Sequence, residues 1–456
     1  LKKLMKSLII IFTALGIISC SFDNKTGIWK DASNMSVENR SGKSINNSNV
    51  DSRYEEILEQ KKLFNEEKVS LDSSSFTLEP PIRINNWLEQ YATFNNNISN
   101  YFYSGKKELI SKGPKLNKND FNTNIIFYDN YLITHDHKGK IFIYSIDSKK
   151  KIFEFNFYKK KFKNFKKNIF LIADKNILYA ADNLGYIYAI NLNNKSLIWA
   201  KNYGIPFRSN IKIDKSQLFL ANQDNVIYSL DINNGEKNWQ FATNLTFLKS
   251  DFINSLALDI LNNNLFFLNT SGELYSISYL NEKVNWMLNF KSSSQKDDTD
   301  IFSSNPIVIK NEKLIITTDV AISNFDTSSG DKNWTFSSNA VLKPVTTTNY
   351  TYILSKSNFL ICIENKTGNV LWSKNIFYIL QEKKIMNKVG KFHDLKIVNN
   401  KLNLFSNKGY LLIFNYRNGN LDFIKKISKN GINSKIVFLK DNMFMIDNTN
   451  KLLKFN

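Results

Sequence analysis

"DINNGEKNW" (231–239), "DTSSGDKNW" (326–334) and "ENKTGNVLW" (364–372) share one outline: a polar turn, a glycine, and a tryptophan four residues later. Aligned on the aromatic residue, Phe153, Trp199, Trp239, Trp286, Trp334, Trp372 and Phe423 fall into one register at intervals of 38 to 51 residues. Before each lies a short alternating run such as "GYIYAIN" (185–191), "NVIYSLD" (225–231) or "FLICIEN" (359–365). Run, turn and aromatic run together read as a hairpin. Its turn favours Asn and Gly because the backbone must enter positive φ, which Gly235, Gly330, Gly368 and Gly419 do at little cost.

Upstream of each hairpin stands another pair of short runs, for example "NPIVIK" and "KLIITTD" (305–319). Four short strands per unit of about 40–50 residues is the period of a propeller blade. The chain ends three strands into a unit, with "SKIVFLK", "NMFMIDN" and "KLLKFN" (434–456), while "RINNWLEQYATF" (83–94) offers an unpaired run carrying Trp87. The expected fold is all-β: an eight-bladed propeller of four-stranded antiparallel blades over residues 83–456, closed by an N-terminal strand assigned to 83–94. A seven-bladed ring with three appended strands is the alternative. Closure of either kind removes open sheet edges.

The 456 residues, 42% hydrophobic and 14% aromatic, suffice for a large core. A net charge of +20 would suit an acidic partner, yet Lys, Asn, Ile and Phe are abundant together, as an AT-rich coding sequence imposes. No nucleic-acid motif is present, so no nucleic-acid partner is expected. Two cysteines and three histidines exclude a disulfide framework and a Cys/His zinc site. "THDHKGK" (134–140) sets His135 and His137 on one strand face, where a metal would need a third ligand, but it aligns with the hairpin "ADNLGY" (181–186) and reads as a turn variant. Cys362 stands where other units have Ala189, Ser229 and Ser276, a small core slot. The basic loop "YKKKFKNFKKN" (158–168) reads as a solvated inter-blade loop. No catalytic residue, cofactor or metal is expected.

The N-terminus reads as an address. Lys2, Lys3 and Lys6 precede an apolar run from Leu8 to Ile18 that is too short to span a bilayer as a helix. "IISC" (17–20) then resembles the lipobox of bacterial lipoproteins, which implies lipidation at Cys20. Residues 1–19 are expected as the signal peptide and residues 20–80 as the lipidated Cys20 with a flexible linker. Within that linker "YEEILEQKKLF" (54–64) reads as a weak isolated helix. Ser21 after the cysteine implies outer-membrane placement facing the periplasm.

The D/N-x-x-x-G-x-x-x-W outline resembles the pyrroloquinoline-quinone-type propeller repeat, in which the tryptophan packs between blades. Trp87, Trp199, Trp239, Trp286, Trp334 and Trp372 are the implied docking residues. Quinoprotein dehydrogenases share the repeat but carry a vicinal disulfide, a calcium site and a catalytic aspartate. Cys362, the single cysteine left after Cys20, cannot form that disulfide. With the lipobox, eight units and "W-x-x-Q" at Trp87 and Gln90, residues 83–456 more closely resemble the BamB lipoproteins of the outer-membrane β-barrel assembly machine. This resemblance implies a non-enzymatic scaffold that docks on BamA beside other subunits, a monomer within a hetero-complex. It also implies partner-binding positions at Ile205, Phe207 and Arg208, with Phe where the family has Leu, and at Asp251; a second acidic position has no clear match. The alternative is a periplasmic propeller that binds another envelope partner or a small ligand, its sign being a polar, convergent central channel.

Overall fold

Why the hairpins recur in register is plain from their pairing. In the computed structural model Ile143 faces Phe153, Ala189 faces Trp199, Ser229 faces Trp239, and Ser276 faces Trp286. Asn324 likewise faces Trp334, Cys362 faces Trp372 and Ile413 faces Phe423, and each pair adjoins a β-bulge. A residue no larger than asparagine thus lies opposite each of these five tryptophans, and isoleucine opposite each of the two phenylalanines; Cys362 fills such a slot and is fully buried, as expected. The structure describes residues 51–54, 62–69, 76–118, 124–158, 162, 164–245, 255–290, 302 and 304–456. The proposed signal peptide, Cys20, the first part of the linker, most of "YEEILEQKKLF" and Asp251 lie outside them.

Seven four-stranded antiparallel sheets follow in chain order: blades 1 to 7, at residues 126–156, 169–202, 212–242, 256–289, 308–336, 345–375 and 392–426. The eighth contains residues 437–455 and takes its outer strand from Leu109–Lys115. The ring therefore has eight blades. Asp51–Tyr54 adds a parallel fifth strand to the outer edge of blade 4.

The first strand of each blade is the innermost; those of blades 1 and 2, and of blades 3 through 7 in succession, touch. Hydrophobic clusters lie between neighbouring sheets, as where Leu218, Phe241, Leu256 and Tyr275 line the joints around blade 3. Phe127 of blade 1 meets Phe444 of blade 8, with ring centroids 5.0 Å apart, so the packing runs through the closure.

The closing strand is not the one expected. Leu109–Lys115, "LISKGPK", pairs with Lys451–Phe455 across two register shifts. Pro114 and Gly113 make it a poor strand by composition, but an outer edge needs few donors and tolerates proline. Residues 83–94 have a different position. The segment from Ile84 to Tyr101 makes one circuit inside the ring, bonding to each blade in turn.

That circuit begins where Lys440 N donates to Ile84 O beside blade 8, and Trp87 exchanges both main-chain bonds with Phe127 of blade 1. Ala173 N donates to Leu88 O, Leu258 N to Phe94 O and Ile309 N to Asn95 O, reaching blades 2, 4 and 5. Asn97 Nδ2 donates to Thr346 O of blade 6 at 2.7 Å, and Tyr101 N to Ile397 O of blade 7 at 2.8 Å. Blade 3 is reached by a side chain: the fully buried Lys212 ammonium meets Glu89, Thr93 O at 2.8 Å and Asn96 Oδ1 at 2.7 Å. These three acceptors match its three protons.

Residues 62–69 and 76–80, expected as flexible linker, instead lie against the ring. Phe64 packs on Phe336 and Phe359, Lys68 bridges Ser373, and Phe76 stacks on Tyr350. Burial of these two aromatic side chains offsets the ordering of the segment.

Candidate functional site

In a blade of four antiparallel strands, the loop entering the first strand and the turn between the second and third lie at the same end. All the inter-blade loops therefore share one face of the ring. The turns on this face are closed by a side-chain acceptor. Asp136 Oδ1 accepts from Lys138 N and Lys140 N, Asp182 Oδ1 from Leu184 N and Tyr186 N, and Asn222 Oδ1 from Asp224 N and Val226 N. "THDHKGK" is accordingly such a turn. His135 is buried in its strand, and burial depresses its imidazole to about 4.

The loop holding Ile205, Phe207 and Arg208 joins blades 2 and 3 on this face. Its main chain is tied down by Phe207 N to Asp182 O, Arg208 N to Ala221 O and Gln223 N to Pro206 O. Phe207, implied as a partner-binding position, is not on the surface: its side chain is fully buried, edge-on to Tyr203 and Tyr228 at 6.1 Å from each. It shapes the loop from beneath. Ile205 and Arg208 are partly exposed, and Asp251 lies outside the described residues, so its pairing with Arg208 has no geometry here.

Apart from the basic loop that carries Phe165, sequence reasoning missed the other apolar side chains of the same face. Phe165, Leu245, Val341, Phe377 and Tyr378 are exposed in inter-blade loops, Leu245 at 65% and Tyr378 at 58%. Phe377 and Tyr378 stand on a short helix, Ile376–Glu382, capped by Asn375. Their signal was an aromatic pair in a stretch outside the repeat. The basic loop is not wholly solvated: Lys167 is buried, with its ammonium 5.2 Å from the Tyr158 ring centre.

A second feature lies at the ring's centre, where the inner strands begin. A cavity of about 260 Å³ is lined by Trp87, Gln90, Tyr91 and Tyr101 of the encircling segment and by Lys343, His393, Asp394, Lys396 and Lys435 of the blades. Lys396 lies 3.2 Å from Asp394 and 5.3 Å from the rings of both Trp87 and Tyr101. Lys435 Nζ donates to His393 O at 2.7 Å and Lys343 Nζ to Pro344 O at 3.2 Å. Burial, reinforced by Lys396, Lys435 and Lys212 and opposed by Asp394, pulls Lys343 down to about 7. Burial pushes Asp394 up, but the surrounding cations win and hold it below the usual carboxylate range. Lysines in "LKPV", "DLKIV" and "SKIVFLK" were the available signal, charges in or beside inner-strand runs.

Among the described residues no group of three His, Cys, Asp or Glu side chains could hold a metal ion. No described helix is long and apolar enough to cross a membrane.

Residues 158–374 match a family model described as outer membrane protein assembly factor BamB. The crystal structure of BamB from Moraxella catarrhalis superposes with a TM-score of 0.60 at 13% identity, covering 76% of this chain and 99% of that one. The quinohemoprotein alcohol dehydrogenase ADHIIG of Pseudomonas putida HK5 superposes at 0.59 with 9% identity, over 81% of this chain and 80% of its own. The computationally designed Ika8 protein does so at 0.53 with 10% identity, over 75% and 99%. At such identities the likeness is one of fold. No curated protein matches the sequence.

Proposed function

We propose, from the premise that the chain is a BamB-type propeller of PQQ-like repeats, that it is a non-enzymatic scaffold lipoprotein of the outer-membrane β-barrel assembly complex, docking on BamA through its inter-blade loop face. The observation that carries this reading is the family match over blades 2 to 5 and most of blade 6, together with exposed apolar side chains gathered on the loops of one face. Aromatic residues and arginine are the usual anchors of protein interfaces. In this reading Ile205, Arg208 and Asp251 touch the partner, and Phe207 holds their loop in shape. Cys20 carries the lipid that places the ring at the outer membrane, facing the periplasm.

The dehydrogenase neighbours raise the question of a quinone cofactor. The centre of this ring is occupied by residues 84–101, and the cavity left beside them is smaller than the roughly 300–1,000 Å³ of pockets for drug-sized ligands. The residues present do not fit such a group.

The test is affinity purification of the tagged full chain from detergent-solubilised membranes. BamA is expected in the eluate, and Arg208→Glu or Ile205→Asp is expected to reduce its recovery roughly tenfold, as loss of an interface anchor does. An eluate without BamA sinks the proposal. Full recovery with both variants moves the contact to another part of the face.

A further inference from the structure

We propose that the central cavity is a binding site for a small organic or inorganic dianion, a dicarboxylate or a phosphate. The inference goes beyond the scaffold role and rests on charge counted against partners. Among the described residues, three ammonium groups, those of Lys343, Lys396 and Lys435, line a space of about 260 Å³ that also holds one carboxylate, Asp394. Asp394 lies 3.2 Å from Lys396 and also accepts the Ile436 N–H at 3.0 Å. Lys396 has the further support of two aromatic faces, Trp87 and Tyr101. One cation is thus matched.

Asp394 also attracts Lys343 and Lys435, but among the described residues neither of them forms an ion pair with it as Lys396 does. Their donated bonds go to main-chain carbonyls, Pro344 O and His393 O, which carry no net charge. An ammonium has three protons to donate, so each retains capacity toward the cavity. His393 adds no counter-charge: burial lowers its pKa, favouring the neutral ring, and its Nδ1 is buried without a partner among the described residues. The next ion pair, Lys212 with Glu89, is internally balanced. Among the described residues three lysines thus face one carboxylate across the cavity, and Lys343, pulled down to about 7 by burial and its neighbours, carries its full charge only when an anion offsets them.

Size and access narrow the ligand. Taking ~30 Å³ as the share of one water molecule, the cavity has room for on the order of nine non-hydrogen atoms. That admits phosphate or a four-carbon dicarboxylate. Lys343 and Lys435 stand just before the inner strands of blades 6 and 8, so the cavity belongs to the loop face.

Isothermal titration of the full chain with succinate and, separately, with inorganic phosphate tests the proposal, with glycerol as the neutral control. One equivalent is expected to bind for at least one of the two anions, and their relative affinity separates the carboxylate source from the phosphate source. Lys343→Gln and Lys435→Gln are each expected to weaken binding about tenfold or more, while Lys343→Arg retains it and the exposed Lys425→Gln leaves it unchanged. Absence of saturable binding for both anions overturns the proposal, as does binding indifferent to both Lys→Gln variants. Should those variants fail to fold, acetylation of the wild-type chain decides the question by mass spectrometry: the anion must protect Lys343 and Lys435, and equal labelling with and without it overturns the site.

Discussion

Gly235 shows why the repeat carries a glycine. Its φ is +70°, but Lys149, Lys195 and Glu282 occupy corresponding hairpin positions at φ +53°, +61° and +52° without being glycine. Positive φ is therefore not the whole reason. A Cβ on Gly235 would come 2.6 Å from the ring of Trp199, on the preceding blade, and Gly330, Gly368 and Gly419 stand in the same relation to Trp286, Trp334 and Trp372. Each of these indoles donates to the blade that carries the glycine, at Ile232 O, Thr327 O, Asn365 O and Tyr416 O. Where Glu282 replaces glycine, the indole N–H of Trp239 is without a partner among the described residues. Gly419→Ala, 2.5 Å from the fully buried Trp372, is expected to destabilise by about 2 kcal/mol or more. Lys195→Gly is expected to be neutral or stabilising by up to about 1 kcal/mol. Denaturant midpoints of the two variants check this pair, and equal losses would refute the assignment.

The element with the greatest reach is the encircling segment, whose run "FNNNISN" (94–100) looks like polar filler. Its asparagines are instead connectors. Asn96 Nδ2 donates to Leu256 O and Ile307 O, in blade 4 and just before blade 5, while its Oδ1 accepts from Lys212. Lys212→Met would leave Glu89 buried without its counter-ion and is expected to cost about 3–5 kcal/mol. The double variant with Glu89→Gln should recover part of that loss, which thermal unfolding of both chains can measure. "RINNWLEQYATF", with its Trp87, suggested the unpaired strand that would close the last blade, yet no sheet edge receives it. A chain that bends around the inside of a ring gives each blade one or two bonds and never forms a ladder. "LISKGPK" was overlooked for the opposite reason: an outer edge strand requires little of its sequence, and its pairing is settled by where the ring closes.

At the level of the molecule, closure depends on residues far from the repeats. Removing residues 1–61 should leave the thermal midpoint within a few degrees, because the aromatic contacts from Phe64 onward and the blade-8 strand remain. Removing residues 1–116 strips the closing strand, exposes the edge at Lys451–Phe455 and empties the centre, so aggregation without a cooperative transition is expected. A soluble monomer with an unchanged midpoint would contradict this account, and size-exclusion chromatography with calorimetry distinguishes the outcomes. Fold class, blade count, the aromatic register and the turn residues were all legible in the chain, because each is marked within one hairpin that recurs every 38 to 51 residues. The loop at 203–209 was legible in position but not in exposure: Phe207 is buried by Tyr228, a residue of the following blade. The channel lysines and the encircling segment were beyond reach. The lysines themselves, and the residues the segment bonds to, come from different blades brought together only by closure of the ring, and no local pattern records which inner strands will face one another across its centre.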